Sequence, residues 1–105
     1  RLHICGNIKG KLKTIAGLEV DLLDVDYLQT VALAREETGP EQCLAGNLDP
    51  VRRICNSTPE QIRADFAEAH RQAGERYILA AGCEVPPGTP EENVKAMFNY
   101  ARSAA

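Results

Sequence analysis

The 105-residue sequence contains no tryptophan, and aromatic residues make up only 5% of it. It also lacks any apolar run near the roughly 20 residues that a membrane-spanning helix needs, so no segment of this sequence reads as one. Basic residues do not cluster: 12 Lys and Arg against 15 Asp and Glu leave a net charge of −3. A mildly acidic chain with scattered charges is a poor partner for nucleic acid or an anionic membrane, so neither is expected. No secretory leader is apparent, and the sequence opens at Arg1 inside an apparent strand, so a fragment of a longer chain is expected. The cysteines, at positions 5, 43, 55 and 83, follow neither a compact disulfide framework nor the paired spacing of a closed structural zinc site. A reduced, cytoplasmic protein is the expectation.

What is present is alternation. Short apolar stretches at Leu2–Cys5, Val20–Val25, Gln42–Ala45 and Tyr77–Ala81 read as parallel strands buried on both faces. Between and after them lie helical patterns, at about Gly10–Ala16 and Leu28–Glu37, the second ending before Gly39-Pro40. Two later helices begin at Thr58-Pro59-Glu60-Gln61 and Thr89-Pro90-Glu91-Glu92. In each, Thr stands at the N-cap, Pro in the first turn and Gln or Glu three residues on. Their expected core stripes are Ile62, Phe66, Ala69 and Ala73, then Val94, Met97, Phe98 and Ala101. Four strand-helix units imply parallel strands joined by right-handed crossovers, which is half of an eightfold barrel or a small doubly wound sheet. Small, polar and metal-capable residues at the strand ends (Cys5-Gly6-Asn7, Ala45-Gly46-Asn47, Gly82-Cys83) favour the barrel, whose sites form there.

His3 and Cys5 are two apart on a strand, so both side chains project from one face. Cys83 closes another strand of the same sheet. Nitrogen and sulfur donors from two strands suit zinc and leave a fourth position open, the arrangement of a catalytic rather than a structural ion. By itself an H-x-C pair is a weak signal, because buried cysteines are common without a metal. Asn7, Asn47 and Asp49 stand at the same end of the strands, either orienting ligands and contacting a cofactor or simply capping turns.

Gly46-Asn47-Leu48-Asp49-Pro50, followed by a T-P-E helix start, resembles the uroporphyrinogen decarboxylase superfamily. Leu2-His3-Ile4-Cys5-Gly6-Asn7 and Ala81-Gly82-Cys83-Glu84-Val85-Pro86-Pro87-Gly88-Thr89-Pro90 resemble its cobamide-dependent methyltransferase branch, and the likeness runs over essentially residues 1–105. The resemblance implies an α/β fold, the C-terminal half (four βα units) of a TIM (β/α)8 barrel. It implies zinc on His3, Cys5 and Cys83, methylcobamide as methyl donor on a separate corrinoid protein, and a small thiol such as coenzyme M as acceptor. A carboxylate near the end of the next strand is common in that branch, and Asp26 is its match here, with Asp24 as a same-face neighbour. Asp26 is expected to be a displaceable ligand or a base; a capping aspartate is the alternative. The decarboxylases of the superfamily lack the thiolate trio and use an aspartate from the N-terminal half.

Two other functions compete: a cofactor-free tetrapyrrole decarboxylase, and a binding module whose zinc is closed by a fourth protein ligand and supports folding. Cys43 and Cys55 are expected to be packing residues, and His70 a surface or boundary residue. Half a barrel has two open sheet edges, so the chain is expected to form a homodimer or to associate with the missing half.

Overall fold

The computed structural model describes residues 1–104. The chain opens with β1 (Leu2–His3), a 3-10 turn (Lys9–Lys11) and α1 (Leu12–Ala16). Next come β2 (Leu22–Asp24), α2 (Val31–Thr38) and β3 (Cys43–Leu48). A π-helical segment (Pro50–Cys55) leads into α3 (Pro59–Ala73), and β4 (Tyr77–Ala81) and α4 (Glu91–Ser103) follow.

The four strands form one parallel sheet in the order β1-β2-β3-β4. An open doubly wound sheet reverses its strand order at a switch point. This sheet never does, so crossovers of one hand lay every helix on the same face. The dimensions agree: extents of 38 × 26 × 19 Å leave the short axis room for one sheet and one helix layer. These are four consecutive units of a (β/α)8 barrel, as the strand-end residues led us to expect.

The core lies between the two layers. Leu23 and Leu44, cross-strand partners on β2 and β3, are fully buried. On α3 the expected stripe holds, with Ile62, Phe66, Ala69 and Ala73 all inside. Thr58 caps that helix by accepting from Gln61 N at 3.3 Å. Arg35 gathers the opposite end of the sheet, donating to the carbonyls of Ala73 (2.7 Å), Gly39 (2.8 Å), Gln42 (2.6 Å) and Arg76 (3.0 Å).

Several local expectations are corrected. α2 begins at Val31 rather than Leu28, because Thr30 Oγ1 accepts from Leu33 N and so caps three residues later. The Thr89 hydroxyl donates to Pro86 O at 2.8 Å instead of capping, and Pro90 takes the N-cap of α4. The face of α4 is turned as well. Asn93 and Ala96 are buried, whereas Phe98 is 63% exposed. The cause is Asn93, whose amide donates to Ile54 O (2.7 Å) and Ser57 O (3.0 Å) and ties that side of the helix to the π-helical segment. The ladder of β1 ends at His3, so Cys5 lies in the following loop. β3 runs past Ala45 to Leu48. Gly46 allows this: its φ is +135°, and an added Cβ would sit 2.6 Å from Val25 O. Nor is every strand covered on both faces, since Ile78 of β4 is 49% exposed.

The two phenylalanines therefore separate core from surface. Phe66→Ala is expected to lower the unfolding free energy of the full-length protein by about 3–5 kcal/mol. Phe98→Ala is expected to cost clearly less than Phe66→Ala, since its ring is mostly outside the core of this segment. Denaturant unfolding measures both, and equal losses would contradict the orientation of α4.

Candidate metal centre

β1 and β4 are the outer strands of the sheet. In a flat sheet they would stand about 14 Å apart, three strand spacings. Yet Cys5 Sγ, just beyond β1, is 3.8 Å from Cys83 Sγ, just beyond β4. Curvature of the sheet toward its open face closes this distance, as a barrel wall requires. His3 Nε2 lies 3.0 Å from Cys5 Sγ. The donor atoms of His3, Cys5 and Cys83 all fall within 4.8 Å of one another, the single such group among the described residues. The strand alternation argued from the sequence thus meets a different local cause, since a loop residue, Cys5, supplies one donor.

Each loop is pinned. Gly6 N donates to Asp26 Oδ2 and Leu28 N to Asp26 Oδ1, both at 2.9 Å, and Asp26 is only 3% exposed. Ile8 N donates to Gln29 Oε1 at 3.0 Å. On the other side Gly82 N donates to Leu48 O at 2.8 Å. A Cβ on Gly82 would lie 2.5 Å from Tyr27 N, so only glycine lets the backbone before Cys83 seat so closely.

Asp26 is outside the donor group, and both its oxygens hold backbone amides. Asn7 Oδ1 accepts from Lys9 N at 3.1 Å. Asn47 Nδ2 donates to the carbonyls of Asp26 and Gln29. Asp49 Oδ1 accepts from Val51 N (2.9 Å) and Arg52 N (3.0 Å). His3 and Cys83 line a cleft of about 440 Å³ with Arg1, Asp24, Ala81 and Glu84. Asn47 and Asp49 line a separate one beside Tyr27, Leu28 and Arg52. Cys43 and Cys55 are half-buried thiols away from the trio, and half-buried His70 stacks against Tyr77. Sequence reasoning had no role for Arg1, whose guanidinium meets Asp24 Oδ2 at 2.8 Å. No local pattern announces that contact; it follows from strand pairing.

The Cys5 thiol is pushed above its ordinary pKa, first by its contact with Cys83, then by desolvation and by the charges of Cys83 and Asp26. Two thiolates at this separation repel, and a cation between them removes the penalty. The spacing fits zinc: tetrahedral bonds of about 2.3 Å to sulfur place two sulfurs about 3.8 Å apart. The same geometry sets the imidazole nitrogen about 3.6 Å from each sulfur, somewhat wider than the present contact with Cys5. Softness of the donor set points the same way.

Parallel βα units with polar and thiol side chains gathered at the C-terminal strand ends are the arrangement of a segment of a (β/α)8 barrel. The chain belongs to the uroporphyrinogen decarboxylase family, whose model matches residues 1–104. It is 36% identical over 102 residues to the uroporphyrinogen decarboxylase of Trichodesmium erythraeum (strain IMS101), covering 96% of this chain and 28% of that protein. The enzyme of the same name from Synechococcus sp. (strain CC9605) is 34% identical over 103 residues, covering 97% and 28%. Among solved structures, a methyltransferase from Methanosarcina mazei superposes with a TM-score of 0.86 at 31% identity, covering 98% of this chain and 30% of that one. The chain thus spans less than a third of the relatives it matches.

The thiol pair can be tested without metal. In the metal-free full-length protein, Cys5 is expected to alkylate slowly near neutral pH, because its raised pKa keeps it protonated. Cys83→Ala removes the main cause, so the alkylation–pH profile of Cys5 should move to lower pH; an unmoved profile would show the sulfurs to be independent.

Proposed function

We propose that this chain is the zinc-binding segment of a methyltransferase that moves a methyl group from a methylated corrinoid to a thiol such as coenzyme M. One observation carries the reading: a nitrogen and two sulfur donors converge from opposite edges of the sheet at the barrel mouth. The methyltransferase likeness supports it.

His3, Cys5 and Cys83 would hold the ion, leaving one position for the substrate thiol. Zinc bound there supplies the charge that keeps a thiol deprotonated near neutral pH, where a free thiol is mostly protonated. In the net reaction a sulfur–carbon bond forms and the cobalt–carbon bond breaks, its electron pair staying with cobalt, while the thiol proton is released. Asp26 keeps its proposed role as displaceable ligand or proton acceptor by giving up its bond to Gly6 N or Leu28 N. Asn7, Asn47 and Asp49 rim the same end and are proposed to meet the corrinoid, delivered by its own protein over the barrel mouth. The open strand edges await the remaining barrel strands, and a reducing cytoplasm suits the thiols.

A second reading has support in names: the sequence relatives quoted above are decarboxylases. Identities of 36% and 31% do not separate the two chemistries. The donor trio favours methyl transfer, since a cofactor-free decarboxylation has no use for it.

The test is metal content and methyl transfer in the full-length protein, purified reduced and without chelator, beside Cys83→Ala. About one zinc per chain, lost with most of the thiol-dependent demethylation of methylcobalamin in the variant, is expected. A metal-free wild type that decarboxylates a tetrapyrrole would overturn the proposal.

A further inference from the structure

His3 turns Nε2 toward Cys5, so its other nitrogen faces away from the sulfurs. That nitrogen, Nδ1, lies 3.5 Å from Asp24 Oδ2. The contact follows from the fold, because His3 and Asp24 are direct partners in the pairing of β1 with β2. Asp24 is 7% exposed, and its Oδ1 is buried without a hydrogen-bond partner. Its other oxygen is shared between Arg1, which donates from Nε and Nη2 at 2.8 Å, and His3. A buried carboxylate with an orphaned oxygen is costly, and such a group calls for a reason.

We infer that Asp24 is a positioning residue for His3. With its carboxylate facing Nδ1 it favours the tautomer that carries the proton there, which leaves the Nε2 lone pair toward the metal position, and it orients the ring. Arg1 holds the same oxygen of Asp24, so Arg1, Asp24 and His3 form one linked group that ends at the metal position. Asp26 serves the neighbouring loop through Gly6 N. The two aspartates of Asp24-Val25-Asp26 therefore divide the labour: one orients the histidine, the other anchors the turn that carries Cys5. A residue present only to pair with Arg1 would have no bearing on the metal.

This inference rests on the zinc reading, and the experiment separates the two. Zinc affinity of the full-length protein is measured by chelator competition, and the cobalt(II)-substituted protein gives an absorption spectrum of the ligand field. Asp24→Ala is expected to weaken zinc binding about 10–100-fold and to alter the cobalt spectrum. Asp24→Asn keeps an acceptor for Nδ1–H and should show an intermediate loss, while Arg1→Met, which breaks the ion pair alone, should bind nearly as wild type. If wild type takes up no zinc, the underlying reading fails and Asp24 loses its role with it. If wild type binds zinc and Asp24→Asn binds as tightly with an unchanged cobalt spectrum, the inference about Asp24 is wrong, even should Asp24→Ala fail to fold. Equal losses in Arg1→Met and Asp24→Ala would assign Asp24 to the ion pair instead.

Discussion

The register of β1 on β2 governs the site. Leu2 stands opposite Leu23 and His3 opposite Asp24. A slip of one residue in a strand sends every side chain to the other face. His3 would then point at the helices and Asp24 would lose both its partners. What holds the register is a short list of bonds and one packed side chain. Leu23 is wholly buried, and Arg1, Gly6 and Ile8 reach across to Asp24, Asp26 and Gln29. A ladder this short has little hydrogen bonding of its own, so side chains beyond it do much of the alignment.

Curvature is the second constraint. Strands at opposite edges of the sheet bring sulfurs within 3.8 Å, and backbone must approach backbone closely for the sheet to bend that far. Gly46 against Val25 and Gly82 against Tyr27 are where it does. Both glycines stand in or beside motifs that had been read for chemistry, and their role in the structure is steric. Ile78 lies half exposed on the face that carries no helices, and β1 and β4 are the outer strands. The chain spans less than a third of the relatives it matches, and unpaired strand edges of this kind invite pairing.

Legibility followed locality. The stripe Ile62, Phe66, Ala69, Ala73 and the Thr58 cap depend on neighbours within a turn or two, and both stand as expected. α4 did not follow its apolar pattern. Asn93, a polar residue that periodicity assigns to the outside, is held inside by carbonyls some 40 positions earlier in the chain, Ile54 and Ser57. The Thr-Pro-Glu signal also appears twice and caps once, because the turn before Thr89 offers Pro86 O as a better partner. In the site, His3, Cys5 and Cys83 were visible as donor types at strand ends, and the family resemblance that accompanied them is borne out.

Local composition and periodicity were enough to determine the alternation of strand and helix and the face of α3; they marked His3, Cys5 and Cys83 only as donor types at strand ends, and the family resemblance joined them into one set. Tertiary structure alone decided that β1 and β4 curl together, that Asp24 lies beside His3 Nδ1, and that Asn47 and Asp49 open onto a different cleft from the trio. The reason is physical: periodicity reports which face of an element is buried. The partner across a strand pair, and the distance between two edges, depend on register and curvature summed over the whole sheet.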